Sequence, residues 1–434
     1  MNFKLTSVSS LQLFQLMRFG AFILIGIVFT KTTLSTQSIG KYEQFLFLAG
    51  GVSFFWLNGL IRGLLPMAKE SRNDGASPVF NSFLLISFFT LLVVTLLAVS
   101  GNLVGRAVLG GSEIPYLGLL LAYLFFSVPA NLIEYFFLLR NEPRNIVYYG
   151  AAGFSAMIAL VVLPVLFKLD IRFALYGLLL VAVLRYLYLL ALMFKSQETK
   201  FSMAFIREHL GLSAPLILSA LLSGSAQYVD GFIVSSRFDE ATFAVFRYGA
   251  RELPLAILLA NAFSNAMLPE FSNSAVLQAS LARIKKESGR LANLLFPLTA
   301  LLLVCSHTLF PIVFNADFAE SATIFNIYLL LIISRLVFPQ TILIGLKQTA
   351  LIARASFLEL ILNVSLSLVL VRVWGIAGVA YATVVAYLFE KIYLVFVLNR
   401  RLNIAPISYQ NSFRHLFYSL LLLLIFFIVE FVIY

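Results

Sequence analysis

The feature that most constrains this chain is a succession of apolar runs, each close to a membrane's thickness in length. Residues 79–100, 116–139 and 416–434 are three of them. A helix needs about 20 residues to cross roughly 30 Å of hydrocarbon. In lipid every backbone N–H and C=O must find an internal partner, which leaves only helices or closed barrels. A barrel would show ~10-residue segments alternating apolar and polar, and these runs do not alternate. Composition removes the soluble alternative, since only 12% of residues are charged against about 25% in a soluble domain. The expected fold class is therefore all-α and integral to a membrane.

Thirteen spans are expected, near 9–31, 43–66, 79–101, 115–139, 145–167, 172–194, 209–236, 241–268, 290–314, 320–346, 351–371, 375–399 and 413–434. They group into an N-terminal six-helix lobe (1–194), a linker (195–208), a C-terminal six-helix lobe (209–399) and an extra C-terminal helix (400–434). The net charge of +11 does not mark a nucleic-acid binder, because the basic residues sit in short clusters between spans. Arg140, Arg144, Lys195, Lys200, Arg207, Arg283, Lys285, Lys286, Arg400 and Arg401 fall on one side, and fewer, such as Lys31, Arg106, Lys168 and Arg237, on the other. By the positive-inside rule the N-terminus is cytoplasmic. The stretch from Ala275 to Arg290 is too polar to span. Its Leu277, Leu281 and Ile284 on one side, with Arg283, Lys285 and Lys286 around them, suggest an interfacial helix on anionic headgroups; a solvated loop is the other reading.

The chain also repeats itself. Leu65-Pro66 closes span 2 and Leu268-Pro269 closes span 8. A glycine follows the tight turn before span 6 and before span 12, Gly177 and Gly378. Each half has six spans, so the halves share topology and make parallel repeats with pseudo-two-fold symmetry.

Pro215, Asp230-Gly231, Arg247-Tyr248, Leu268-Pro269-Glu270 and the segment from Trp374 to Thr383 (WGIAGVAYAT) resemble the polysaccharide flippases of the multidrug/oligosaccharidyl-lipid/polysaccharide (MOP) exporter superfamily. The likeness covers spans 1–12. It implies a MATE-like fold of twelve or fourteen spans, two six-helix bundles about a central cavity that opens alternately to each side. It also implies a bacterial inner-membrane location and a substrate that is an undecaprenyl-diphosphate-linked oligosaccharide, as in Wzx-type O-antigen flippases. Membrane lipids and other polysaccharide assembly proteins are the implied partners.

A charge at the bilayer centre costs at least ~2.5–3.5 kcal/mol, so each one asks for a partner or a wet cavity. Arg247 and Arg251, four apart, would stack on one face of span 8. Two such guanidinium forks suit a diphosphate, although Arg247 could instead pair with Asp230. In the lipid-precursor flippases this chain resembles, cations on spans 1, 2 and 8 face the cavity; Arg18, Arg62 and Arg251 match by position, and positive-inside anchoring explains the first two equally well. Arg185 with Glu134, and Arg335 with Glu359, lie at comparable depths. Each pair reads as a buried ion pair between helices or as a cavity-facing pair that breaks between states, and in the second case Arg185 and Arg335 join Arg251, Arg247, Arg18 and Arg62 as candidate substrate-binding residues. Asp230, Glu134, Glu252 and Glu359 are the candidates for ion coupling or gating. Asn58, Asn261, Asn265, Asn326 and Asn363 suit either sugar hydroxyls or helix-to-helix hydrogen bonds. Gly59-Leu-Ile-Arg-Gly63 would permit close helix approach.

A flippase is the leading reading, and Asp230 keeps an H+- or Na+-coupled multidrug antiporter in view. A membrane polymerase or ligase fits worst, because the longest outer loop, near 101–114, holds only Arg106 and Glu113. With one cysteine and three scattered histidines, neither a disulfide framework, a metal site nor a cofactor is expected.

Overall fold

The computed structural model describes residues 6–70, 77–111, 113–197, 199–251, 254–267 and 277–434, and each regular element among them is helical. Among these residues nine helices are long and apolar enough to cross a membrane, or up to eleven if two bent pairs each count as one span. Rows of large apolar side chains, such as Leu92, Leu96, Val99 and Leu103, stay exposed, as befits helices solvated by lipid. The chain divides into two compact units, Met1–Tyr228 with Ser235–Ala244, and Val229–Val234 with Val245–Tyr434.

The first unit holds α1 (Ser7–Thr30), α2 (Thr36–Gly51), α3 (Phe54–Glu70), α4 (Pro78–Val108), α5 (Leu117–Ser127), α6 (Ile133–Leu139), α7 (Pro143–Leu166), α8 (Ile171–Lys195) and α9 (Met203–Gly224); α10 (Ala226–Arg237) is divided between the units. The expected second span is broken, with α2 and α3 meeting at 45°. At the break Ser53 Oγ donates to the Ala49 carbonyl at 2.8 Å and Trp56 Nε1 to the Val52 carbonyl at 2.9 Å, side-chain bonds that compete with the helix ladder. Gly59 and Gly63 are the seam between α3 and α9. A Cβ on Gly59 would stand 2.6 Å from the Ile217 nitrogen, and one on Gly63 2.1 Å from Ser213 Oγ. Buried His209 ties the pair to α4: its Nε2 donates to the Leu60 carbonyl at 2.7 Å and its Nδ1 accepts from Ser82 Oγ at 3.3 Å. On the other flank α1 packs on α7, where a Cβ on Gly150 would meet Met17 and Phe14.

The second unit continues α11 (Glu240–Gly249) into α12 (Pro254–Met267), α13 (Leu277–Val313), α14 (Glu320–Leu329), α15 (Ile332–Arg335), α16 (Pro339–Gly345), α17 (Thr349–Leu402), α18 (Pro406–Tyr409) and α19 (Ser412–Ile428). The expected tenth span is bent by 44° ahead of Pro339. Two expected spans share α17, which breaks at Trp374 and Gly375; the glycine adopts φ 56°, ψ −137°, a region glycine enters most readily. Beyond the break the chain runs back on itself. Asn363 meets Thr383, and Ser356, seven residues earlier, meets Glu390, seven later, the register of an antiparallel helical hairpin. A Cβ on Gly378 would lie 2.2 Å from the Leu370 carbonyl oxygen. In the first unit a Cβ on Gly177 would lie 2.1 Å from the Leu160 carbonyl oxygen. The two glycines singled out by the repeat thus do the same work in their own hairpins.

The expected interfacial helix is corrected. From Leu277 onward it is the start of α13, continuous with span 9, and Leu281 and Ile284 are buried in protein. α18 and α19 pack on α13: Lys285 Nζ donates to the Ile407 carbonyl at 2.8 Å, and Tyr418 stacks on Phe296 at 5.2 Å. An amphipathic stretch finds its apolar cover in neighbouring helices as readily as in lipid. Ala275 and Val276, and the Leu268-Pro269-Glu270 motif, lie outside the described residues.

Candidate functional site

Span 8 is interrupted where its charges lie. α11 ends at Gly249, Ala250 and Arg251 are not helical, and α12 is described from Pro254 onward, a glycine at a helix end being the usual punctuation. Arg247 occupies the last turn of α11, where the helix dipole favours a cation. Arg251 lies beyond the helix, so the expected stacking of Arg247 and Arg251 on one helical face is corrected. Its guanidinium sits 4.6 Å over the ring of Tyr248, which is buried against Phe314 and Phe318 at 5.0 and 4.6 Å. A rigid aromatic platform therefore aims Arg251. Non-helical backbone at membrane depth is tolerated where it is buried in protein or lines a watery cavity, and such interruptions mark binding sites in transporters. Glu252 lies outside the described residues.

A second constellation gathers along the α17 hairpin. Asp230, on α10 and 3% exposed, accepts at Oδ2 from Tyr328 and, at 2.6 Å, from Thr383. Asn363 donates to Thr383 at 3.3 Å, and Ser367 donates to Asn363 Oδ1 at 3.1 Å. Glu359, one turn before Asn363 and also buried, leaves its Oε1 without a hydrogen-bond donor; Asp230 and Glu390 act on it through space. Next to it lies a closed ionic network. Glu390 accepts from Ser356 at 2.9 Å and from Gln340 at 3.0 Å, while Lys391 donates to Gln340 at 2.7 Å and to Glu390 at 3.3 Å. Carboxylate, amide and hydroxyl oxygens of this kind are hard donors that suit a small cation or a proton.

Two expected pairings are corrected. Glu359 makes no ion pair with Arg335, whose guanidinium lies 5.0 Å over the Tyr387 ring. Glu134 makes none with Arg185, whose Nε donates to Tyr149 OH at 2.6 Å, although Arg185 is close enough for its charge to reach Glu134. In both cases an aromatic partner replaces the carboxylate, leaving the guanidinium held by a ring or hydroxyl. Arg18 on α1 and Arg62 on α3 are exposed within the first unit.

Sequence reasoning found Arg247, Arg251, Asp230 and Glu359 from the rarity of buried charge, and found Asn363 only as one amide among several. It missed Tyr328 and Thr383, because hydroxyls are common in spans and nothing local distinguishes these two.

A model of the family described as "Lipid II flippase MurJ" matches residues 148–434. No curated protein matches the chain. Among solved structures, a lipid II flippase MurJ in an inward closed conformation is similar at a TM-score of 0.68 and 18% identity, covering 97% of this chain and 98% of that one. An inward-facing multidrug resistance MATE family transporter of the MOP superfamily gives 0.66 and 14%, with 86% and 91% covered. A MOP superfamily transporter from Pyrococcus furiosus gives 0.59 and 13%, with 92% and 94% covered. At these identities the structures establish the fold, which is the MATE/MurJ-like one. The family match supports a lipid-linked precursor flippase, a transporter in place of an enzyme, without singling out the O-antigen unit. With more than half its length matched, the chain belongs to the MurJ lipid II flippase family of multi-span membrane transporters.

Proposed function

We propose that this protein moves a polyprenyl-diphosphate-linked saccharide, lipid II or a close chemical relative, from the cytoplasmic to the outer leaflet of a bacterial inner membrane. The N-terminus is then cytoplasmic, as the basic clusters require. Arg251 and Arg247 hold the diphosphate, whose oxygens accept paired guanidinium N–H bonds, while exposed Arg18 and Arg62 anchor the first unit at the positive side of the membrane. Arg185 and Arg335, each held against a tyrosine, brace their helices. The observation that carries the reading is the interruption of span 8 at Arg251, beside a buried aromatic platform. Asp230, Glu359, Asn363 and Thr383 bind the coupling cation or proton, and its arrival biases the α17 hairpin against α10.

One experiment separates the substrate classes. The gene is expressed in a host depleted of its own lipid II flippase, and in another lacking its O-antigen flippase. Restored growth of the first, without restored surface polysaccharide in the second, is the expected result. The reverse pattern returns the oligosaccharide reading. Loss of drug efflux on Asp230→Asn, with growth rescue intact, would favour the antiporter that the same buried aspartate suits.

A further inference from the structure

Two adjoining hollows in the first unit lie apart from the diphosphate and coupling residues proposed above, sharing Arg185 and Tyr149 with the contacts already described. One, of about 400 Å³, opens where α6, α7 and α8 end and is lined by Arg140, Glu142, Asn145, Tyr148, Tyr188 and Lys195 among others. The other, of about 390 Å³, continues from the shared Tyr148, Tyr149 and Tyr188 along α7 and α8 past Ala152, Gly153 and Ala156. The volumes fall within the roughly 300–1,000 Å³ of small-molecule sites. The first hollow is polar and charged; the second is walled by Ala152, Gly153, Ala156, Val181 and Leu184, with Arg185 and the tyrosines among its lining. Between Tyr149 and Ala156 an α-helix rises on the order of 10 Å, so the pair makes a headgroup pocket with a groove leading away from it that takes the first part of an acyl chain.

The charges select the headgroup. Arg140, stacked 4.5 Å over Phe136, and exposed Lys195 supply two cations where α6 and α8 end. Glu142 supplies one carboxylate, oriented by Asn145 Nδ2 at 2.7 Å, with Tyr148 and Tyr188 lining the same hollow. Two cations opposite a phosphodiester, and a carboxylate that accepts N–H bonds from an ammonium, match a zwitterionic lipid with a primary amine, since a quaternary ammonium has no N–H to donate. A headgroup bearing only negative charge leaves Glu142 facing it unfavourably. The basic residues at this end of the helices also put it at the inner membrane surface on the positive-inside reading, the level of a phospholipid headgroup.

We propose that the first unit binds one phosphatidylethanolamine-type lipid, its phosphate between Arg140 and Lys195, its amine at Glu142 and one acyl chain in the α7–α8 groove. The site is independent of the transport reading, since none of the diphosphate arginines or coupling carboxylates belongs to it.

The test is native mass spectrometry of the purified full chain, titrated with phosphatidylethanolamine, phosphatidylglycerol or phosphatidylcholine of identical chains. Wild type should retain one phosphatidylethanolamine about tenfold more tightly than the other two. Arg140→Gln with Lys195→Gln should weaken it by a similar factor, and Glu142→Gln should erase the preference over phosphatidylglycerol. Gly153→Leu should weaken long-chain lipid while sparing a dihexanoyl analogue; a Cβ there meets nothing within 4 Å, so this variant decides the matter if the charge variants fail to fold. Equal retention of all three lipids, unchanged binding in Gly153→Leu, or displacement of the lipid by equimolar inorganic phosphate would each overturn the proposal, the last by making this a free-phosphate site.

Discussion

Arg251 shows how a side chain gains a role from the backbone around it. On a helical face it would be one more snorkelling cation; past Gly249 and before Pro254 it is held over a buried ring in an interrupted span. Arg251→Ala should abolish transport while the protein still inserts and accumulates, and Arg251→Lys should recover only part, since an ammonium lacks the fork. Near-normal transport in Arg251→Ala removes it from the site. Beside the coupling cluster, Lys391 and Glu390 share Gln340 and are each nearly buried. Removing one partner of a buried pair costs ~3–5 kcal/mol, whereas replacing both often costs little. Lys391→Met should therefore lower the thermal midpoint in detergent more than Lys391→Met with Glu390→Gln does; equal losses would mean that the two charges are not coupled. At this scale the sequence was informative about which residues matter and less so about what they touch. Buried charge is rare enough in a membrane to be noticed, but Arg185 and Arg335 met Tyr149 and Tyr387, and depth alone could not distinguish a ring from a carboxylate on the next helix.

Among the elements, glycines set the geometry. Gly177 and Gly378 sit where a Cβ would strike the carbonyl of the preceding helix, and Gly59 and Gly63 where it would strike α9. Gly378→Val should separate the two arms of α17, and with them Thr383 from Asn363, so coupling fails even though no polar group is lost. Gly118→Val, at a glycine with open space around it, is the control. A folded, fully active Gly378→Val protein would contradict this packing. Overpacking of this kind costs about 1–3 kcal/mol or more, enough to read as a lower unfolding temperature. These contacts were legible because a repeat marked two of the glycines and a spacing of four marked the others. The length of α13 was not: its polar first turns read as a surface helix, since α18 and α19, which pack on it, come from more than 100 residues further along. The same long-range packing makes α19 integral to its unit. Glu430, just past its end, accepts from His307 at 2.8 Å, and Tyr434 stacks on the same imidazole, so the helix outside the repeat is tied into the second unit at both ends.

For the whole molecule, hydropathy already dictated an all-helical membrane fold, and the repeat suggested two halves of equal topology. The chemistry of the passenger was less accessible, because a diphosphate looks the same to an arginine whichever sugar it carries; the family match supports a lipid-linked precursor without singling out the O-antigen unit. The central claim is that this chain carries a polyprenyl-diphosphate saccharide between leaflets by means of Arg251, with Asp230 coupling the cycle. The most direct measurement is made in sealed vesicles containing the purified protein and fluorescent lipid II in the inner leaflet alone, with a membrane-impermeant quencher outside. An imposed cation gradient should make the fluorescence fall in wild type, while Arg251→Ala and Asp230→Asn vesicles should stay as bright as protein-free ones. Equal quenching in all of them, or none in wild type, would contradict the account.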